Sequence, residues 1–269
     1  MIVVVRDDDT CGFTRPEEIQ ACYGSVWSDM PVSLSVTPFR IPGNDRNLPE
    51  NLAGNMDTLP LHKAPGLVDF LKDGIRQGRM NIAMHGYHHL RYRGLPEYVG
   101  GSDLERKTIE GKEYLEKVLD TTVCAFVPPN NAISLTGVNA VVRAGMSLVH
   151  IPSLWGRAFR SGQLRVLLKA PGFYWHRKLR NRQYPYVMEC GDHKEIGYHT
   201  VGPRSIRKRL FQELEYCREK NGVFVLATHY HAFDRKTENG ETVRHLLFDL
   251  LETAQGFPGV SFQGINSIW

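Results

Sequence analysis

Three consecutive carboxylates, Asp7, Asp8 and Asp9, close the apolar run of residues 1–5. A β-branched run of that kind reads as a buried strand, and α/β barrels carry their chemistry at the C-terminal ends of strands. Adjacent carboxylates repel, so a cation or a shared proton accompanies them when they are brought together. On these residues alone, a metal site and an exposed acidic turn after an edge strand are equal readings. A second cluster separates them. His85-Gly86-Tyr87-His88-His89 follows the short apolar run of residues 81–84, and one helical turn would put His85 and His89 on one face while His88 points elsewhere. Two imidazoles and a carboxylate leave a fourth position open for water, the ligand set of a catalytic rather than a structural zinc site.

Two further strand ends carry polar groups. Residues 223–227 run into Thr228, His229, Tyr230 and His231, and residues 123–127 into Pro128, Pro129, Asn130 and Asn131, where the double proline fixes a rigid turn. Taken singly, His231 reads as solvated and the prolines as a strand stop. Four polar clusters in the same topological place read as the mouth of one cleft.

The pattern that must position them alternates strand and helix. Strands are expected at 1–5, 31–39, 81–84, 123–127, 146–151, 223–226 and 260–263. Helices are expected at 65–78, from a cap at Ser102 or Asp103 through Leu119, and at 134–144, 205–220 and 242–255. This predicts an α/β fold, a distorted (β/α) barrel of about seven parallel strands joined by right-handed crossovers. One domain is expected over residues 1–269, with loop insertions near 40–64 and 155–202 walling the mouth. The second insertion has hairpin strands around 186–189 and 195–199.

With 42% hydrophobic and 23% charged residues the composition is that of a globular protein, and no stretch approaches the ~18 apolar residues of a membrane span. Residues 1–5 run straight into the acidic cluster without a leader pattern, so a cytoplasmic location is expected. Cys11, Cys22, Cys124, Cys190 and Cys217 are odd in number and lack a Cys-x-x-Cys pair, which indicates neither a disulfide framework nor a thiolate zinc site. The net charge of +4 concentrates at 175–182 and 204–209. The second stretch reads as a solvated helix face. The first is flanked by Phe173, Tyr174, Tyr184 and Tyr186 and suits an anionic or sugar ligand, while the absence of a recognition motif argues against nucleic acid.

These motifs resemble those of the polysaccharide deacetylases of the NodB-homology group, carbohydrate esterase family 4. Arg6-Asp7-Asp8-Asp9 is similar to the Arg-x-Asp-Asp form of that family's first motif, with Asp8 and Asp9 the preferred base and ligand and Asp7 with Asp8 the fallback. His85 and His89 match its His-x-x-x-His pair, and His229 matches its later acid histidine, with His231 as competitor. The resemblance implies a divalent metal, most simply zinc, on Asp9, His85 and His89. It gives Asp8 the general-base role and His229 the general-acid role. Pro129, Asn130, Asn131 and His231 would lie around the substrate, and a backbone N–H near 129–131 would serve the oxyanion. The implied activity is removal of an N-acyl group, acetyl in the simplest case, from an amino sugar or its carrier-linked precursor, with surface-glycan biosynthesis as the setting. A metal-dependent amidase acting on a non-sugar substrate and a carbohydrate-binding pseudoenzyme are the alternatives. Two departures stand out. The family's Arg-Pro-Pro appears as Val127-Pro128-Pro129, and its Asp and Trp motif is absent; Arg6, Asp192 and His193 are the candidates to replace the missing support.

Overall fold

The computed structural model describes residues 1–43, 50–152, 154 and 168–269. Parts of both expected insertions, 44–49 and 155–167, therefore lie outside the described residues. The seven expected strands all form: β1 (Ile2–Thr10), β2 (Val32–Val36), β3 (Met80–Met84), β4 (Ala125–Phe126), β5 (Ser147–Leu148), β9 (Val223–Thr228) and β10 (Ser261–Phe262). Short strands β6 (Met188–Glu189), β7 (Lys194–Glu195) and β8 (His199–Thr200) complete a curled sheet of order β6-β7-β5-β4-β3-β2-β1-β9-β8, with β10 beside the start of β1. All pairings are parallel except the β6–β7 hairpin. The last predicted hairpin strand is split: Glu195 pairs with Leu148 at one edge, and His199 pairs with Leu226 at the other. Residues 196–198 thus cross the seam between the two edges and turn the curled sheet into a distorted barrel.

Period-2 alternation builds two cores. Val4, Ala83, Ala125, Val127, Val149, Ile196 and Val225 meet inside the curl, with Ile265 from the C-terminal segment among them. Ile265 N–H donates to Ser33 Oγ at 2.9 Å, which ties that segment to the start of β2. Val3, Val5, Leu34, Ile82, Phe126, Leu148 and Phe224 face outward. They pack under α1 (Pro16–Tyr23), α2 (Pro65–Arg76), α3 (Leu104–Leu119), α4 (Leu135–Arg143), α5 (Arg207–Glu219) and α6 (Val243–Gln255). Burying each large aliphatic side chain contributes about 1.5–3 kcal/mol. A one-residue slip of β1 would exchange its two faces, so this register is strongly held, and it keeps Arg6 and Asp8 on the inner face.

Helix starts follow local chemistry. Ser134 and Thr242 accept the Gly137 and His245 N–H groups at 3.1 and 3.2 Å, as N-caps do. Asp103 occupies the expected cap of α3 but has a left-handed backbone, φ 55°, and makes no side-chain cap bond. Among the described residues no helix is long and apolar enough to cross a membrane.

Candidate metal centre

The acidic strand end separates three adjacent carboxylates by geometry. Asp7 continues the outward alternation of Val3 and Val5 and accepts from Tyr23 Oη and, at 2.9 Å, from Thr228 Oγ1. Burial pushes its pKa up to about 6. Asp8 points inward, in line with Val4 and Arg6, so the fallback pair Asp7/Asp8 is divided between two faces of the sheet. Simple alternation would send Asp9 outward again. Instead the β1–β2 register shifts between Asp7 and Thr10, and Asp9 adopts φ 76°. This irregularity, with an Asp in the left-handed region where Asp and Asn are tolerated, turns Asp9 into the same cleft as Asp8.

Asp9 is the hub of the cluster. Its Oδ1 lies 3.4 Å from His85 Nε2 and 3.3 Å from His89 Nε2, and its Oδ2 lies 3.2 Å from His231 Nε2 and 3.8 Å from His229 Nε2. One ligand atom each from Asp9, His85 and His89 falls within 4.8 Å of the other two. His85 Nδ1 donates to the Val127 carbonyl at 3.0 Å. Since a carbonyl only accepts, that bond fixes the ring with Nε2 toward Asp9, the orienting contact expected behind a metal-ligating histidine. Burial raises the Asp9 pKa, but His89, His231, His85 and His229 together hold it well below the usual carboxylate range. The His85 pKa is raised: burial opposes its charge, and Asp9 and Asp8 outweigh that. Burial and then Arg40 drive His89 well below its usual value, leaving it a neutral imidazole. Ionised carboxylate and neutral imidazole are the states in which these groups bind metal; Asp9 and His89 are in them, and the positive charge that Asp9 and Asp8 favour on His85 is one a divalent cation would supply in its place, so the residues present fit such an ion.

The histidine segment is not the helical turn that the four-residue spacing suggested. Residues 85–89 form a loop with Gly86 at φ 69° and His89 at φ 55°. A Cβ at Gly86 would meet Pro129 Cγ at 2.3 Å and Glu97 Oε2 at 2.6 Å, so the close approach requires glycine. Glu97, fully buried, holds the loop: its carboxylate accepts the N–H groups of Tyr87 and His89 at 3.0 Å and of His88 at 2.9 Å. Arg40 donates to the His89 carbonyl at 2.9 Å, and His88 Nδ1 lies 2.7 Å from the Phe39 carbonyl, turned away from the cluster. Sequence reasoning missed Glu97 and Arg40. Glu97 reads as an ordinary acidic residue opening a short helix, and only the glycine between His85 and Tyr87 hinted at a turn needing support.

At the proline turn, Val127 takes the position of the family's arginine and sends its side chain into the inner core. The cation comes from Arg6, completely buried, whose Nη2 donates to Asp8 Oδ2 at 2.8 Å and whose Nη1 donates to the Val149 carbonyl at 3.2 Å. Its guanidinium lies 4.5 Å from the centre of the Tyr198 ring, on the segment that crosses the seam. Burial pushes the Asp8 pKa up, yet Arg6, His85 and His229 bring it below the usual value. Asp192 pairs with His193, and His193 with Glu195, away from His229 and His231.

Pro129 is buried against Gly86, while Asn130 and Asn131 share a cavity of about 150 Å³ with Asp8, Asp9, His85, His89 and His229. β9 ends at Thr228, His229 is still extended, and residues 230–232 form a 3-10 turn, so His231 reaches Asp9 from a turn rather than from two places along the same extended strand as His229. His229 lines the cavity, and His231 contacts the outer oxygen of Asp9.

No family model matches this sequence, and no curated protein matches it. Solved structures do. A "putative polysaccharide deacetylase" from Mycobacterium smegmatis aligns with a TM-score of 0.59 over 99% of this chain and 88% of that one, at 12% identity. The chain has the polysaccharide deacetylase fold. A 4-alpha-glucanotransferase from Thermococcus litoralis aligns with a TM-score of 0.53 and 13% identity over the whole of this chain, which spans 40% of that protein. The fold is thus shared by proteins named for different reactions, and function has to be argued from the site.

Proposed function

We propose that the protein is a metal-dependent hydrolase that removes an N-acyl group, acetyl in the simplest case, from an amino sugar or its carrier-linked precursor. One observation carries the reading: Asp9, His85 and His89 converge beside an Arg6-held Asp8 and His229 around a single small cavity. At about 150 Å³ it is smaller than the ~300–1,000 Å³ of whole-ligand pockets. It suits the acyl amide, with the rest of the substrate outside against the exposed Asn130 and Asn131.

A zinc or similar divalent ion held by Asp9, His85 and His89 supplies Lewis acidity and a lowered water pKa when bound. Asp8 accepts the proton from the attacking water. Its Oδ2 is taken by Arg6, and among the described residues its Oδ1 makes no hydrogen bond of good geometry, so Oδ1 is the oxygen left for that proton. His229 gives a proton to the leaving amine, and His231, on Oδ2 of Asp9, keeps Oδ1 turned toward the two ligand histidines. Pro129 has no N–H and the Asn131 N–H is spent on the Pro128 carbonyl, which leaves the Asn130 N–H as the donor of that turn for the developing oxyanion.

The test is acetate release from N-acetylated amino sugars, free and carrier-linked, with and without a chelator. Release that stops on chelation and returns with added zinc supports the reading. Metal-loaded protein that releases no acid from any acylated amino sugar, but cleaves a non-sugar amide, moves it to the amidase class.

A further inference from the structure

We infer a second metal site, of structural zinc type, formed by Cys190, His193 and Glu195. It is independent of the proposed activity. The β6–β7 hairpin turns through Cys190-Gly191-Asp192-His193, with the Cys190 N–H donating to the His193 carbonyl at 2.9 Å and Gly191 at φ 95°. This tight turn brings Cys190 Sγ, a His193 ring nitrogen and a Glu195 oxygen within 4.8 Å of one another, all three residues buried. The sequence has no Cys-x-x-Cys, so a thiolate zinc site was not expected; Cys-x-x-His followed by a glutamate on the next strand supplies sulfur, nitrogen and oxygen instead.

The His193 ring is held between two carboxylates. Its Nδ1 lies 3.1 Å from Asp192 Oδ1 and its Nε2 lies 2.9 Å from Glu195 Oε1, and ionised carboxylates only accept. With its proton on Nε2 the ring donates to Glu195; with its proton on Nδ1 it donates to Asp192 and turns the Nε2 lone pair toward the Glu195 oxygen, the arrangement in which both serve as ligands. In the second arrangement an ion between Nε2 and the Glu195 oxygen is completed by Cys190 Sγ, which without an ion donates to the Met188 carbonyl at 3.6 Å. In the metal-bound form Cys190 gives its proton to solvent, and Asp192, mostly exposed, is the carboxylate that orients a ligating histidine through its other nitrogen. A surface cavity of about 590 Å³ lies against the hairpin turn at Gly191, Asp192 and His193, so the turn is reached from solvent on that side. The Glu241, His245 and Asp249 group lacks this character, because Arg207 already bridges Glu241 and Asp249 at 2.6 and 2.7 Å.

An ion here would pin the hairpin whose continuation, residues 196–198, crosses the barrel seam and lays Tyr198 on Arg6. Its role is to hold the barrel closed.

The experiment is titration of metal-free full-length protein with Co²⁺, reading total metal bound and the near-ultraviolet sulfur-to-cobalt charge-transfer band. The Asp9 site has no sulfur ligand, so the band reports the second site alone. Wild type is expected to bind two ions and show the band. His89→Ala should lose one ion and keep the band, and Cys190→Ser should lose the band and the other ion while a Cys11→Ser control keeps both. A wild-type protein without the band overturns the proposal, as does a band that survives Cys190→Ser or disappears in Cys11→Ser. Because the wild-type spectrum decides by itself, a Cys190→Ser variant that fails to fold leaves the test intact, with Glu195→Gln, expected to weaken binding with the band reduced, as the second variant. Failure of the proposed hydrolase would leave this band untouched.

Discussion

Arg6 Nη2 lies 2.8 Å from Asp8 Oδ2, two residues along the same inward face of β1, with both side chains removed from solvent. An arginine on the strand itself therefore supplies the charge that the family's proline turn lacks here. Breaking a buried pair by deleting one partner costs about 3–5 kcal/mol, because the remaining charge is left uncompensated. Arg6→Ala is expected to cost about that much in denaturant unfolding. After burial, which raises the Asp8 pKa, Arg6 is the largest influence lowering it. Its removal raises that pKa, and since the base must be ionised, the acid limb of the kcat/KM profile should move to higher pH. An unmoved acid limb would show that Arg6 does not act through Asp8.

Asp7 and Asp8 face opposite sides of the sheet, which makes the base assignment testable. Asp8→Asn should keep its metal and lose on the order of 10²–10⁴ in turnover, whereas Asp7→Asn should keep both. The reverse result would reassign the base.

Glu97 is expected to act on the metal through the loop that it holds. Glu97→Ala leaves one buried N–H, that of Tyr87, and two half-buried ones without their acceptor, the buried one costing about 1–3 kcal/mol if no water replaces the carboxylate. The variant should melt lower than wild type and bind zinc about 10–100-fold more weakly, although Glu97 touches no ligand atom in the cluster. Unchanged zinc affinity in a destabilised Glu97→Ala would confine the residue to folding.

His199 predicts a pH dependence of stability. Burial, with a contribution from Arg209, pushes its pKa down to about 3; among the described residues neither ring nitrogen is hydrogen-bonded, and Glu213 Oε2 comes no nearer to Nε2 than 3.9 Å. The unfolded chain takes up this proton near pH 6.5 and the folded one does not, so between pH 6.5 and 3 the unfolded state binds more protons. Stability should fall with falling pH in that window, by up to about 1.4 kcal/mol per pH unit from this group. Urea unfolding at pH 7.5 and pH 5 should show His199→Leu losing less stability on acidification than wild type. An equal loss in both would remove His199 as the cause.

The strand and helix order was legible because strong periodic runs such as residues 1–5 and 223–226 are bounded by turn residues. The four polar strand ends were legible as clusters for the same reason. The paths of the backbone were not. Nothing in Asp7-Asp8-Asp9 announces the register shift that turns Asp9 inward, and the spacing of His85 and His89 suits a helical turn as well as the glycine-kinked loop that forms. Glu97 and Glu195 were hidden because their partners are backbone N–H groups and a hairpin histidine, contacts that exist only once the chain has folded back.

The central claim is that Asp9, His85 and His89 hold the metal. The direct measurement is zinc affinity by calorimetry in a Cys190→Ser background, comparing Asp9→Asn with the parent. Asparagine tolerates the positive φ at this position, so the substitution removes the charge with little backbone strain. One strong site is expected in the parent, lost in Asp9→Asn and equally in His89→Ala, with both variants folded. A parent that binds no zinc, or an Asp9→Asn variant that binds it as tightly as the parent, would contradict it.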